Sequence, residues 1–156
     1  MNKVSALRLL LMAHFTMVAL LANPTLAAAC SCIRSSDEQH FAQASSVFVA
    51  HVVRSEEAIG LSPYSPDKPE KIIEASFTTV EILKGQPPIS GKVKSKTWDW
   101  SCAVLLYPAV DYLIFLQGND FITACGGSRS VILQGADEVT TKTRKLLEGL
   151  RALQAK

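Results

Sequence analysis

Short runs of apolar and β-branched residues, separated by clusters of glycine, proline and polar residues, predict a small β-rich domain. The five predicted strands cover residues 47–53, 72–83, 93–98, 112–116 and 121–124. Between the first two, residues 55–70 contain three prolines, a glycine and several charges, and we predict a long exposed loop there. A glycine and two prolines at 84–88 predict a turn after the second strand.

Two helices are predicted, one at each end of this β-rich region. Ser35 and Glu38 have the S-x-x-E spacing of a capping box, which predicts a short helix through about residue 44. Asp137 can cap a second helix near the end of the chain. That helix carries an apolar stripe predicted to pack on the core, formed by Val139, Thr143, Leu146, Leu147, Leu150 and Leu153. Five short strands with two peripheral helices predict a mainly β fold, a five-stranded closed barrel of the OB type.

The residues before position 30 have the layout of a secretory signal peptide. Lys3 and Arg8 give a basic start, and residues 9–21 form a nearly continuous apolar run that is too short to span a bilayer comfortably. We therefore predict a signal peptide at 1–29, one mature domain at 30–156 and no transmembrane segment in the mature chain.

The predicted cleavage site lies directly before a cysteine. Ala27 and Ala29 occupy the −3 and −1 positions of an A-x-A site before Cys30. Cleavage there gives a secreted protein, extracellular or periplasmic, with a free α-amine on Cys30. The alternative is a lipoprotein signal, in which Cys30 is acylated and anchors the protein to the cell envelope. Lipoprotein signals usually have a branched apolar residue at −3, whereas Leu26 stands one position too early. Both interpretations make Cys30 the first mature residue.

Charge does not indicate a nucleic-acid partner or an anionic membrane. The chain has 16 lysines and arginines and 14 acidic residues, and the leader holds two of the basic ones, so the mature net charge is near zero. Lys92, Lys94 and Lys96 alternate along a predicted strand, which we interpret as a solvated or guarded edge. His40 and His51 are the two histidines of the predicted mature chain, and we interpret His51, which lies in a predicted strand, as structural. The sequence has no catalytic triad order, H-E-x-x-H helix or phosphate-binding glycine loop, and we predict neither an enzyme nor a cofactor of its own.

Four cysteines remain in the mature chain, and export favours their oxidation. Cys30 and Cys32 cannot easily bond each other, because alternate residues of an extended chain are too close and too badly aimed for disulfide geometry. Each must then reach Cys102 or Cys125, which leaves two pairings open. A four-cysteine zinc site is the alternative, but the spacing lacks the C-x₂-C knuckles of structural zinc modules.

Several segments resemble the N-terminal, netrin-like domain of the tissue inhibitors of metalloproteinases. The Cys-Ser-Cys start at residues 30–32 is similar to the mature start of that family. Residues 38–41 resemble its first helical segment, and residues 47–53 resemble its first long strand. Residues 80–85 resemble its strand followed by a Lys-Gly turn. The resemblance extends over nearly the whole mature chain and is loose outside the cysteine framework.

The same resemblance implies the disulfide pairs Cys30–Cys102 and Cys32–Cys125, whose separations are those of the family's first two bridges. Animal members have a third bridge in this domain, with a cysteine just after the helix phenylalanine, where this chain has Ala42. Their six-cysteine C-terminal domain is also missing here. We therefore expect a single-domain relative.

The function that the resemblance implies is inhibition of zinc metalloendopeptidases of the metzincin type. The α-amine and carbonyl oxygen of Cys30 would bind the catalytic zinc of the target, and Ser31 would enter its specificity pocket. Zinc is thus contacted only in the protease. Inhibitory contacts are implied for two segments, Cys30, Ser31, Cys32 and Ile33 in one and Asp99, Trp100 and Ser101 in the other. The alternative function is a non-inhibitory binding module of the same fold, secreted or lipid-anchored at Cys30.

Overall fold

The computed structural model of the protein describes residues 32, 35–97, 100 and 102–154. Along the chain these residues form α1 (Asp37–Gln43), β1 (Ser46–Ser62), β2 (Ser65–Lys84), β3 (Lys92–Lys96), β4 (Asp111–Leu116), a 3₁₀ helix (Ala124–Gly126), β5 (Arg129–Val131) and α2 (Glu138–Gln154). The predicted signal peptide at 1–29 lies outside the described residues.

All five strands belong to one antiparallel sheet with the order β3-β2-β1-β4-β5. The predicted mainly β class is therefore confirmed. The predicted closed barrel is not confirmed, because β3 and β5 stand at opposite ends of an open order. A parallel bridge joins Lys94 of β3 to Phe121. It consists of hydrogen bonds from the Lys94 N–H to the Asp120 carbonyl and from the Ile122 N–H to the Lys94 carbonyl, both 2.7 Å.

The segment 55–70, predicted as an exposed loop, is instead the outer part of a long β-hairpin. β1 and β2 stay paired as far as Ser62 and Ser65, with Pro63 and Tyr64 in the turn. The loop prediction is wrong because proline breaks a strand only where its missing N–H is needed. One of the three prolines is in the turn, and the other two lie on a part of β2 beyond the residues that pair with β3.

Two hydrophobic clusters form the core. The first consists of Phe48, Ala50, Val52, Ala75, Phe77, Val93, Val104, Leu106, Tyr112, Ile114, Leu116 and Ile122. The second consists of Phe41, Ala44, Val47, Val49, Leu83, Leu113, Phe115, Val131, Leu147 and Leu150. Because successive residues of β1 alternate between the two clusters, these lie on opposite faces of the sheet. Both helices contribute to the second cluster and therefore cover the same face.

The first helix begins one residue later than predicted. Its N-cap is Ser36, whose Oγ accepts from the Gln39 N–H at 3.3 Å, while the Gln39 amide oxygen accepts from the Ser36 N–H at 2.8 Å. The capping box is therefore Ser36 with Gln39, and the predicted pair of Ser35 with Glu38 is wrong. Glutamine satisfies the reciprocal bond as well as glutamate does, and this start puts Phe41 into the core.

The second helix is capped by Asp137, as predicted. The Thr140 N–H donates to Asp137 Oδ1 at 2.7 Å. The backbone and hydroxyl donors of Thr140 hold the pKa of the Asp137 carboxyl below its usual range. Four leucines of the predicted stripe, Leu146, Leu147, Leu150 and Leu153, pack in or against the second cluster, and Thr143 is buried. Val139 is 54% exposed, whereas Thr140 is buried and its hydroxyl donates to the Gln134 carbonyl. Neither helix in the described part of the chain combines the length and apolarity needed to cross a membrane.

The last strand was predicted at 121–124 and lies at Arg129–Val131. Phe121 makes only the single bridge to β3, and the chain then turns through the 3₁₀ helix. The Thr123 Oγ1 accepts from the Gly126 N–H at 3.1 Å and caps that helix. Gly127 follows with a φ of +91°, which a residue with a side chain rarely adopts. These local hydrogen bonds turn the chain after Phe121, so the strand predicted at 121–124 does not form.

The Lys84 side chain connects the end of β2 to the end of α1. Its Nζ donates to the carbonyl oxygens of Phe41 at 2.7 Å and Ala42 at 3.1 Å, and it lies 5.3 Å from the centroid of the Phe41 ring. These carbonyls belong to the last turn of α1, where backbone acceptors lack helical partners and a cation is favoured. The lysine of the Lys-Gly motif is therefore a helix cap.

Replacing Lys84 by methionine is expected to lower the free energy of unfolding by about 1–2 kcal/mol, because the charged donor is lost while most of the aliphatic chain is kept. Urea denaturation followed by circular dichroism measures the change. Lys145→Met, at an exposed position of α2, is the control and should change stability by less than about 0.5 kcal/mol. Equal losses in the two variants would contradict the capping role.

Candidate functional site

A disulfide joins Cys32 to Cys125, with Sγ atoms 1.98 Å apart and Cα atoms 5.2 Å apart. This is one of the two pairs that the resemblance implies. Cys102 is disulfide-bonded as well. Its implied partner, Cys30, lies outside the described residues, and that pair stays a prediction.

The described sulfur atoms form a compact cluster. The Sγ atoms of Cys32, Cys102 and Cys125 all lie within 4.8 Å of one another, and those of Cys102 and Cys125 are 3.7 Å apart. Thiolates would be needed to bind zinc, and the two sulfurs of a disulfide are not thiolates. The clustering therefore reflects neighbouring disulfides, and it does not support the four-cysteine zinc alternative.

Backbone hydrogen bonds fix the two segments that carry Cys102 and Cys125. The Ala124 N–H donates to the Cys102 carbonyl at 3.0 Å, next to the start of the 3₁₀ helix. On the other side of Cys102, the Ala103 N–H donates to the Trp100 carbonyl at 3.0 Å. The exposed Cys32 is thus tied to a part of the chain that is held independently of it.

Trp100 lies between β3 and Cys102 and is half-buried. Its N–H donates to the Thr97 carbonyl at 3.0 Å. Its ring lies 4.8 Å from that of Tyr64 between centroids, and the Lys96 Nζ is 5.9 Å from its centroid. Tyr64 also meets Phe121 edge-on at 6.2 Å. The hairpin tip is therefore folded against the segment that leads to Cys102, and it supports Trp100 from one side.

Only part of the predicted inhibitory surface can be located. Cys32 and Trp100 are described. Cys32 is bonded to Cys125, and Trp100 stands two residues before Cys102 in the chain. The remaining predicted contact residues fall outside the described residues: Cys30, Ser31, Ile33, Asp99 and Ser101. Sequence reasoning missed Tyr64, because the prolines around it predicted a loop with no fixed position.

The two histidines that the structure describes differ in their contacts, and the buried His40 Nδ1 has no hydrogen-bond partner among the described residues. The His51 Nδ1 lies 2.8 Å from Asp111 Oδ1, between neighbouring strands β1 and β4. An open groove of about 600 Å³ runs beside this pair, with Val80 and Ile132 on its walls. Among the described residues no hydroxyl or thiol bonds to the His51 ring. The His40 ring packs 5.9 Å from that of Phe115.

The lysines of β3 are balanced by carboxylates. Lys92, Lys94 and Lys96 pair with Glu74, Asp120 and Glu70, respectively. Each cation of this strand therefore has an acidic partner within salt-bridge distance.

No protein-family model matches this chain, and a search of curated proteins finds no match. The resemblance is thus carried by the motifs and the cysteine framework. In the structure, residues 38–41 lie in α1, residues 47–53 lie in β1, and residues 80–85 cover the end of β2 and the following turn. Membership of the inhibitor family is accordingly a proposal.

Proposed function

We propose that the mature chain is a secreted inhibitor of zinc metalloendopeptidases and that it binds the catalytic zinc of its target through Cys30. The observation that carries the proposal is the Cys32–Cys125 disulfide beside the bonded Cys102. It ties the residue two positions from the proposed mature terminus to the 3₁₀ helix between β4 and β5. Such tethering reduces the ordering cost that a flexible terminus would meet on binding.

The proposed chemistry is chelation by backbone atoms. The catalytic zinc of a protease keeps one coordination position open for water or substrate. The α-amine and carbonyl oxygen of Cys30 would occupy that region together and displace the hydrolytic water. The amine must be neutral to bind, and α-amines titrate near about 7.7–8.0, so the metal can compete with the proton at neutral pH. The Cys30 sulfur would be engaged in its bridge and would not be the ligand.

The flanking residues would fill the rest of the target's cleft. Ser31 would enter the specificity pocket beside the zinc, and Cys32 and Ile33 would continue along the cleft. A second ridge would come from residues 99–101. Support for this part is the position of Trp100, which the Tyr64 ring and the turn ending at Ala103 hold next to Cys102.

We further propose that the five strands form a barrel of the OB type, which the contact of β3 with the segment after β4 would close. We also propose that the protein is exported. The parallel bridge between Lys94 and Phe121 supports the barrel, because it brings the free edge of β3 against the segment that follows β4. The Cys32–Cys125 disulfide supports export, since disulfides persist mainly in oxidising compartments.

The test of the proposal combines the mass of the exported protein with an inhibition assay. Intact-mass analysis should give a chain that starts at Cys30, carries two disulfides and has no added lipid. That protein should inhibit at least one metzincin-type endopeptidase, compete with a zinc-binding hydroxamate and leave a serine protease unaffected. An acylated Cys30, or no inhibition across a broad panel, would overturn the proposal and favour the non-inhibitory binding module.

Ser31→Gly is expected to change the ratio of inhibition constants between two target proteases about tenfold, because it removes the side chain that would fill the specificity pocket. The melting temperature should not fall. Inhibition constants against proteases with wide and narrow pockets measure the effect. An unchanged ratio would exclude Ser31 from the pocket.

A further inference from the structure

The position of Cys102 beside an existing disulfide has a chemical consequence. Its Sγ lies 3.7 Å from the Sγ of Cys125, which is bonded to Cys32. Disulfides exchange when a thiolate attacks one sulfur of a neighbouring bridge. A thiolate formed at either Cys102 or Cys125 therefore has a disulfide sulfur within reach.

We propose that Cys102 and Cys125 form an alternative disulfide on reduction, so that one two-electron reduction releases both N-terminal cysteines together. The reductant is a dithiol, which supplies the two electrons and becomes a cyclic disulfide. The identity of the second released residue depends on the implied pair Cys30–Cys102. The first released residue, Cys32, follows from the disulfide that the structure contains.

Two routes lead to the same product. If the dithiol opens the bridge of Cys102, the Cys102 thiolate attacks the Cys125 sulfur, the Cys32–Cys125 bond breaks, and Cys32 leaves as a thiolate that takes up a proton. If the dithiol opens the Cys32–Cys125 bridge first, the Cys125 thiolate attacks the Cys102 sulfur and expels Cys30 in the same way. Either route consumes one dithiol and leaves one disulfide in the protein.

The geometry favours the new bridge. The hydrogen bond from the Ala124 N–H to the Cys102 carbonyl already holds the two segments side by side, and it does not involve the N-terminus. The sulfur separation must shorten from 3.7 Å to the ~2.0 Å of a disulfide. Reduction of either disulfide frees the side chain of Cys102 or of Cys125. The freed side chain can then rotate so that its sulfur lines up with the remaining disulfide bond. Cys32, the leaving group, is exposed, so solvent can stabilise its thiolate.

The wild-type protein tests the proposal directly. It is treated with limiting dithiothreitol under native conditions, trapped with N-ethylmaleimide and mapped by non-reducing peptide mass spectrometry. At least half of the doubly labelled molecules should carry both labels on the peptide with Cys30 and Cys32, and should contain a Cys102–Cys125 link. A population labelled mainly at Cys32 and Cys125, or mainly at Cys30 and Cys102, would overturn the proposal.

A matched pair of variants gives a second measurement. In Cys30→Ser the thiol of Cys102 has no implied partner, and we expect exchange to place a substantial share of the free thiol on Cys32. In the control, Cys102→Ser, the attacking sulfur is absent, and the label should remain on Cys30 with the Cys32–Cys125 link intact. Labelling of Cys102 alone in Cys30→Ser would contradict the exchange.

The effect on inhibition depends on the proposed function. Release of both N-terminal cysteines would remove the disulfide bonds that hold the chelating terminus in place. Inhibition should therefore fall in parallel with the appearance of the Cys102–Cys125 link. The peptide map uses no protease, and its outcome therefore stands apart from the outcome of the inhibition assay. A map with the expected link but without any change in inhibition would contradict the role of the terminus and leave the exchange in place.

Discussion

Adding one alanine ahead of Cys30 is expected to weaken inhibition of a sensitive zinc metalloendopeptidase at least about 100-fold, or roughly 2.7 kcal/mol of binding free energy. The extension converts the α-amine of Cys30 into an amide, whose nitrogen lone pair is delocalised into the carbonyl group and binds metal poorly. It also adds a residue where the terminus would meet the zinc. The inhibition constants of the mature and extended proteins measure the effect.

The matched control carries the same alanine after Lys156, at the other end of the chain. Both extended proteins should keep the Cys32–Cys125 disulfide and the melting temperature of the unmodified protein, because neither extension changes a residue of the two core clusters. Inhibition by the control should be unchanged. Equal inhibition by the N-terminally extended protein would show that the amine does not bind the zinc.

The elements with a strong local pattern could be predicted from the sequence. The apolar run at 112–116 lies within β4, and the stripe after Asp137 lies on α2, because burial of one face imposes the spacing of apolar residues. The long hairpin could not be predicted from its local signals. Among the described residues, no third strand pairs with the outer part of β2, so prolines and charges are tolerated there.

Part of the candidate site could likewise be predicted from the sequence, and part of it could not. The Cys32–Cys125 pair follows from the resemblance, because the cysteine spacing is a property of the sequence. The contact between Tyr64 and Trp100 depends on how far the hairpin bends over the sheet, which no periodicity encodes. The close approach of the Cys102 and Cys125 sulfurs likewise arises only when β3 and the 3₁₀ helix are brought together.

Gly85→Ala is expected to cost about 3–4 kcal/mol of stability, the largest single-residue effect that we predict for the fold. Gly85 has a φ of +59°, which costs an L-residue about 1–2 kcal/mol. A Cβ at this position would also lie 2.2 Å from the Ser45 carbonyl oxygen, and crowding against fixed atoms typically costs a further 1–3 kcal/mol or so. Ser45 cannot move away freely, because its N–H donates to the Leu116 carbonyl at 2.7 Å and its Oγ accepts from the Gly118 N–H.

Gly118→Ala separates the two contributions to this cost. Gly118 also has a positive φ, +85°, but a Cβ there would have no atom within 4 Å. It should therefore cost only the conformational part, about 1–2 kcal/mol. Urea denaturation of both variants measures the difference, which should be about 2 kcal/mol in favour of Gly118→Ala. Equal losses would mean that the start of β1 yields to the new methyl group, and that the Lys-Gly turn is constrained only by its backbone dihedral angles.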